Sequence, residues 1–432
     1  MISVDEALER ILSYVSVLEP EEKPVLDALG QVLAEEIVAP FSIPSLDNTA
    51  MDGYAVQAAS TAGASPSSPV ELEVVGELAA GYVFDGEVTP GTAVRIMTGA
   101  AIPQGADAVV PFEETDEAAH EAPTAARRIQ ERVRVLKEVG LGANVRRAGE
   151  DIRQGERVLP AGTVLRPAEI GVLASVGRAR VRVIRRPVVA VLSTGDELVE
   201  VGEPLPPGRI YDSNVYSLAS LIQRYGGIPK VLGIARDTVE ALTAKIRQGL
   251  DADMLLTSAG VSRGDYDVVK DVLAREGEID FWTVAMKPGK PLAFGCFHTS
   301  DGRRIPHVGL PGNPVSSMVS FEMFVRPAML KMMGKRHWGR PTLRAVTRER
   351  IVNRGEPRRL FNRCIVTEED GRYYVSLTGP QGSGILSSMV AANALTVIPE
   401  GVEVVEPGEE IEVMMLDWSH GEEWGTDRAV SW

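Results

Sequence analysis

"PVVAVLSTGDEL", Pro187 to Leu198, decides the fold. Five consecutive apolar residues, Val188 to Leu192, form a run too short for a helix and without the alternation of a half-exposed strand. Such a run is the signature of a parallel strand covered on both faces. It ends in Ser193, Thr194, Gly195, Asp196 and Glu197, a turn rich in small and acidic residues. Working outward, the pattern repeats. Asp212 to Asn214 caps a helix with Val215, Leu218, Ala219, Ile222 and Tyr225 on one side, and "KVLGIA" is the next strand. Thr238 to Gly249 is a helix, "ADMLLTS" a strand, "YDVVKDVLARE" a helix, and "DFWTVAM" and "LAFGCF" are strands. "RIPHVGL" leads through "PGNP" into a long helix over Val315 to Met333. Strands alternating with helices predict βαβ units with right-handed crossovers, hence an α/β domain from Pro187 to about Gly334.

On either side the texture is β-rich. From about Val38 to Arg186, short runs such as "VELEVVGEL", "TAVRIM", "ADAVVPF" and "ERVRVL" alternate with Gly/Pro turns, as expected for two small units. "ASTAGASPSSP" (Ala59 to Pro69) reads as a flexible surface loop. Before it, Ser3 and Glu6 form a capping box for an amphipathic helix carrying Val4, Leu8, Ile11, Leu12 and Val15. "LEPEEKPVLDALGQVLAEEI" predicts a loop and a second helix. After Lys335, "RCIVTEEDGRYYVSL" predicts a hairpin on an Asp-Gly turn, and the closing strands a small barrel or sandwich.

The chain has 432 residues, a length that suggests roughly three domains. Its formal net charge of −15 excludes general nucleic-acid binding, which needs broad neutralisation of phosphates by Lys and Arg. An anionic ligand must be gathered locally against that field. The two cysteines, Cys296 and Cys364, have no neighbour at metal-ligand spacing, and the five His are scattered, so neither a disulfide framework nor a zinc site is expected. The acidic start is unlike a signal peptide, and no apolar run is long enough to span a membrane, so the expected location is the cytoplasm.

In an open parallel sheet, ligands bind beyond the carboxyl ends of the strands. The segments following the strands are Thr194–Glu197, Arg236–Asp237, Ala259–Asp267, Lys287–Pro291, and Pro311–Pro314 with Val315–Ser317 at a helix start. All are expected on one edge. No GxxxxGK[ST] or GxGxxG occurs. Helix N-termini and Gly turns cradle oxyanions without them, and lysines act as point charges. Carboxylates beside phosphate point to a bridging cation, and oxygen donors suit Mg²⁺. A phosphate ester or anhydride bound with Mg²⁺ is the expected ligand. Each motif alone reads more simply as a turn or cap; their convergence favours a site. "DNTAMDGYAV", "RIMTGAAIP" and "NVRRAGEDI" read from the residues alone as turn chemistry or surface ion pairs. Arg363 and "GPQGSGILSSM" read as a strand arginine and a turn, with Arg363 able to contact an oxyanion bidentately.

"DNTAMDGYAV", "RIMTGA", "RRAGEDI", "STGDEL", "IYDSN", "GVSRGDYD", "MKPGKPLAFG", "GLPGNPVSS" and "QGSGILSS" occur in the order seen in the MoeA family, the molybdopterin molybdenumtransferases, which include the gephyrin E domain. The resemblance covers essentially the whole chain. It implies molybdenum insertion into adenylylated molybdopterin with Mg²⁺-dependent cleavage of the adenylate, giving molybdenum cofactor and AMP. It implies a homodimer of four-domain subunits, supplied by a MogA-type partner. The domains would be 1–38 with 154–186 (linking, with the leading helix), 39–153 (β-rich), 187–334 (MogA-like α/β, carrying the nucleotide and metal site) and 335–432 (C-terminal β-barrel).

By the same resemblance Asp267 and Glu197 hold Mg²⁺ and nucleotide phosphate, with Asp237 beside them. Ser193, Thr194, Gly260 and Ser262 line the nucleotide phosphate. Lys287 and Lys290 hold the pterin phosphate or molybdate. Pro291, Pro311, Pro314, Ser316, Arg363 and Ser383 help form the oxyanion pocket. Asp52, Thr98 and Asp151 reach in from the second subunit. Thr283 and Ala259 depart from the family pattern, where Lys and Gly are frequent. Rival functions are a MogA-like adenylyltransferase, disfavoured by the extra β domains, and a gephyrin-like scaffold without chemistry, disfavoured by the intact Asp267, Lys287, Lys290 and "PGNP".

Overall fold

A computed structural model of the chain describes residues 1–119, 131–259, 272, 277–353 and 357–417. By its contacts the chain divides into two compact units, one of Met1–Lys23, Gly30–Ala34 and Arg182–Trp432, the other of Pro24–Leu29 and Glu35–Val181.

The first unit is built on six strands: β1 (Val188–Thr194), β2 (Ile228–Ala235), β3 (Met254–Ser258), β4 (Gly277–Thr283), β5 (Pro291–His298) and β6 (Arg304–Leu310). Their order is β2-β1-β3-β6-β5-β4. β2, β1, β3 and β6 are mutually parallel. β5 runs antiparallel to both β6 and β4. β4, β5 and β6, read in the sequence as successive strands without helices between them, are joined by short connections, which only antiparallel neighbours allow. Because β4 is twice reversed it again points the same way as β1, β2, β3 and β6.

Both faces are covered, which explains the unalternating apolar strands. Val189 and Val191 pack with Ile11 of helix α1 (Val4–Tyr14) and Leu218 of α2 (Ser213–Arg224), while Ala190 and Leu192 pack with Leu242 and Ile246 of α3 (Val239–Gly249). The caps are the ones the residues specify: Ser3, Asp212 and Thr238 accept from Glu6, Val215 and Ala241 N–H. The long helix after β6 is one helical run in three pieces: α4 (Pro314–Ser320), a π turn over Phe321–Val325, and α5 (Arg326–Met332). Pro327 lacks the N–H an α-helix would require, and the wider turn just before it absorbs that loss. The expected second helix near the N-terminus is absent. Pro20–Pro24 is extended and Val25–Ala28 is a single 3₁₀ turn. Pro20 and Pro24 break helical continuity, and Gly30 at φ +79° turns the chain.

The same unit closes with a barrel of β7 (Thr342–Thr347), β8 (Arg363–Glu369), β9 (Arg372–Leu377), β10 (Ala394–Val397) and β11 (Glu410–Met415), ordered β7-β9-β8-β10-β11. The β8–β9 hairpin turns on Asp370 and Gly371, both at positive φ, as its Asp-Gly pair predicts. Cys364, Val366, Val375 and Val413 fill its core.

The second unit holds a five-stranded sheet ordered Ala108–Pro111, Gly53–Val56, Thr92–Ile96, Val70–Leu78, Arg132–Val135. Ala59–Pro69 is more built than a plain loop: Ala58–Thr61 is a 3₁₀ turn, and buried Thr61 Oγ1 accepts from Val139 N–H.

Candidate functional site

The carboxyl ends of β1, β3, β4 and β6 and the start of β5 lie on one edge of the sheet, following from the strand directions above. A cavity of about 1090 Å³ opens there between this edge and the barrel. Ten of the residues singled out in the sequence line it: Thr194, Glu197, Lys287, Lys290, Pro291, Pro311, Pro314, Ser316, Arg363 and Ser383.

The cavity's polar lining is fixed from three directions. On the β1 side, Gly195 has φ +145°, and a Cβ there would come within 2.5 Å of Glu197 Oε2, so only glycine lets the Glu197 carboxylate fold back over the turn. On the β4–β5 side, the peptide carrying Lys287 and Lys290 is pinned at both ends: Lys290 O accepts from Val284 N–H at 2.8 Å and Lys287 O from Phe361 N–H at 2.8 Å. Gly289, at φ +102°, approaches Ser320 so closely that a Cβ would sit 2.6 Å from Ser320 Oγ. The loop therefore presents both ammonium groups from a rigid base. At the start of α4, Asn313 makes no side-chain cap, and Val315 N–H donates to Ser383 O at 3.1 Å, tying the helix start to the Gly-Ser loop.

On the barrel side the guanidinium of Arg363 is 1% exposed. Its Nε donates to Ser388 Oγ at 2.9 Å and its Nη2 to Gly382 O at 3.0 Å. No carboxylate among the described residues neutralises it, and burial pushes its pKa down to about 10. A buried cation held by neutral oxygens on a cavity wall is a preformed seat for an anion.

Lining residues that went unassigned in the sequence include Asp212, Asn214, Gln381 and Arg358. Asp212, 1% exposed, uses Oδ1 for the α2 cap and leaves Oδ2 without a partner. A cap residue gives no sign in sequence that its second oxygen is buried without a partner. Asn214 donates to Ser258 Oγ at 2.8 Å and to Gly312 O at 2.7 Å, stitching together the loops after β3 and β6. Gln381 accepts from Arg363 N–H, and Arg358 adds a further cation.

Other candidates lie elsewhere. Ser193 is buried at the end of β1 with its hydroxyl unpartnered, outside the lining. Asp237 is exposed after β2. Gly260, Ser262 and Asp267 lie outside the described residues. Asp52, Thr98 and Asp151 belong to the second unit. There Asp52 Oδ1 accepts from Thr98 N–H and Oγ1–H at 2.6 and 2.7 Å. Arg147 pairs with Asp47 at 2.6 Å, the surface ion pair expected of that segment.

A mostly parallel sheet with small-residue turns, lysines, a buried arginine and carboxylates at one edge is the kind of site suited to a compact polyanionic ligand. Comparison with known proteins narrows the class. The MoeA N-terminal region (domain I and II) matches residues 2–177, a probable molybdopterin binding domain matches 190–331, and the MoeA C-terminal region (domain IV) matches 345–416. The chain is 39% identical over 424 residues to molybdopterin molybdenumtransferase 2 of Mycobacterium tuberculosis, covering 96% of this chain and 100% of that protein. It is 36% identical over 428 residues to the molybdopterin molybdenumtransferase of Haemophilus influenzae, covering 96% and 98%. The crystal structure of a molybdopterin biosynthesis MoeA protein from Pyrococcus horikoshii superposes with a TM-score of 0.78 at 33% identity, over 97% of this chain and all of that one. The chain belongs to the MoeA family of molybdopterin molybdenumtransferases, and is an enzyme of the transferase class. Among the described residues no helix is long and apolar enough to cross a membrane.

Proposed function

We propose that the chain inserts molybdenum from molybdate into adenylylated molybdopterin, cleaving the adenylate to release AMP, in the cytoplasm and with Mg²⁺. The observation that carries this reading is the buried, carboxylate-free guanidinium of Arg363 facing the same cavity as Lys287 and Lys290. Together with Arg350 and Arg358 they make five cations on one cavity of an acidic chain, which match a ligand with more than one phosphate-like group. Its family supplies the identity of that ligand.

The donor set fits Mg²⁺. Glu197 lines the cavity, and Asp212 offers it a buried oxygen that no protein donor satisfies. These hard oxygens would hold the ion together with Asp267, and the bound ion would polarise the phosphoanhydride. Lys287 and Lys290 neutralise phosphate and molybdate oxygens as point charges. Arg363 contacts one oxyanion through the guanidinium edge not committed to Ser388 and Gly382, and Ser316 at the start of α4 receives another. Thr194, which lines the cavity at the end of β1, holds the nucleotide phosphate. The functional unit proposed is a homodimer, with substrate delivered by a MogA-type partner.

Incubation with adenylylated molybdopterin, molybdate and Mg²⁺ tests this directly. The expected result is molybdate-stimulated AMP release that a chelator abolishes. Net adenylate synthesis from ATP, or no AMP release at all, would overturn it. Mixed dimers of Asp52→Asn and Asp267→Asn chains, each expected to be inactive alone, should regain turnover if the dimer shares its sites.

A further inference from the structure

The sheet has a second chemical cluster at the edge opposite the cavity. β5 begins at the cavity with Pro291 and ends at His298; β4 begins at that far end with Gly277. Glu278 on β4 stands directly opposite Cys296 on β5 in the antiparallel register. His298 is two residues beyond Cys296, so the strand period of two puts both on the same face. The result is a carboxylate, a thiol and an imidazole converging from two adjacent strands, their donor atoms all within 4.8 Å of one another. Cys296 Sγ is 3.8 Å from His298 Nε2, and His298 Nε2 is 3.7 Å from Glu278 Oε1.

Those separations approach the ones a tetrahedral metal requires. With metal–sulfur and metal–nitrogen bonds of about 2.3 and 2.0 Å, tetrahedral sulfur and nitrogen ligands stand about 3.5 Å apart. Closing each observed gap takes a few tenths of an ångström, within the rotamer freedom of the two exposed side chains. The cysteine is a free thiol and 1% exposed, set at the base of the cluster, whereas Glu278 and His298 are exposed above it. A metal would thus sit at the surface on a buried sulfur, with a position left open to water. The guanidinium of Arg304 donates to Cys296 Sγ at 3.6 Å and lies over the Tyr14 ring, its Cζ 5.1 Å from the centroid. Thiolate and carboxylate together cancel a divalent charge, so Arg304 then faces a neutral centre rather than a bare cation.

We infer that Glu278, Cys296 and His298 form a binding site for one divalent transition-metal ion of the zinc type, separate from the cavity at the other end of the sheet. Soft sulfur with imidazole selects zinc or cobalt over Mg²⁺. Binding expels the thiol proton to solvent, so affinity rises with pH. The site would pin edge strand β4 to β5 without touching the chemistry at the cavity.

The test uses the full-length chain, stripped with chelator and titrated with Co²⁺. One equivalent is expected to give a thiolate-to-cobalt charge-transfer band, and Zn²⁺ should displace it. Cys296→Ser should abolish the band, and His298→Gln should weaken cobalt binding at least tenfold. Cys364→Ser should leave the band intact. His298 is exposed, so its variant folds even if Cys296→Ser does not. Cobalt bound without a charge-transfer band, or a band that survives Cys296→Ser, would overturn the assignment, as would unchanged affinity in His298→Gln.

Discussion

The two walls of the cavity reach the same end by different means. The sheet wall offers charge on exposed turns: Lys287 and Lys290 are exposed residues on a loop pinned by backbone hydrogen bonds. The barrel wall offers a single guanidinium, 1% exposed and clasped by Ser388 and the carbonyl of Gly382. An exposed lysine costs the fold almost nothing and is screened by salt. A buried arginine without a carboxylate taxes the fold and is screened little, but its position is fixed before any ligand arrives. The sheet wall therefore attracts an anion and the barrel wall orients it.

This division needs the two walls held together, and the largest effect should come from breaking that joint. Glu322, in the π turn, is 5% exposed and accepts from Arg340 Nε and Nη2 at 2.9 and 2.8 Å. Arg340 Nη1 in turn donates to the carbonyls of Met415 and Leu416, at the end of barrel strand β11. Tyr225 OH completes the group on Glu322 Oε1. Burial pushes the Glu322 carboxyl up to about 8 and Arg340 down to about 10, the mark of charges that the fold holds out of water. Glu322→Ala leaves Arg340 and Arg326 buried and uncompensated. We expect a loss of about 3–5 kcal/mol in denaturant unfolding, far more than any single substitution on the cavity itself. A loss below 1 kcal/mol would show that the joint lies elsewhere.

Next in size, Arg363→Met should separate function from stability. Turnover should fall about 100-fold, since a fixed oxyanion contact is lost. Stability should hold or rise slightly, because an unpaired buried charge is replaced by apolar volume. A fall in both would make Arg363 a structural residue. Lys290→Ala is the counterpart on the sheet wall: about a tenfold fall in kcat/KM, worth about 1.4 kcal/mol. That defect should shrink as salt is raised, while the Arg363→Met defect persists. Equal salt sensitivity would erase the distinction between the walls.

The walls also differ in how far they can be read from sequence. The sheet wall was legible because a buried parallel strand needs an apolar run and its ligand loop must follow it, so "PVVAVLS" locates Glu197 and "DFWTVAM" locates Lys287. The antiparallel turn of β5 was not, because a buried antiparallel strand flanked by covered neighbours has the same texture. Arg363 carries no local signal: its isolation is created by carbonyls brought up from the Gly-Ser loop. Resemblance to a family named it, and packing explains it. Asp212 and the Glu278–Cys296–His298 cluster show the same limit. The third donor of that cluster enters through cross-strand register, which linear spacing between cysteine and histidine cannot display.

The smallest effect concerns the loop between the walls' two chemistries. Ala259, directly after β3, adopts φ +76°, and its N–H donates to Leu310 O at 3.0 Å. Its Cβ lies against Gly312, where an added Cβ would meet it at 3.2 Å. A left-handed backbone costs an alanine roughly 1–2 kcal/mol that glycine avoids. Glycine in turn gives up about 0.4–1 kcal/mol through the freer unfolded chain. The balance favours Ala259→Gly by about 0.5–1 kcal/mol, measurable in urea. Because the residue lines the cavity, removal of its methyl also widens the approach of ligand to the backbone, so KM should fall while kcat holds. A stability loss would mean that the alanine is not strained and that the sheet wall, like the barrel wall, is held by side-chain packing rather than by the turn itself.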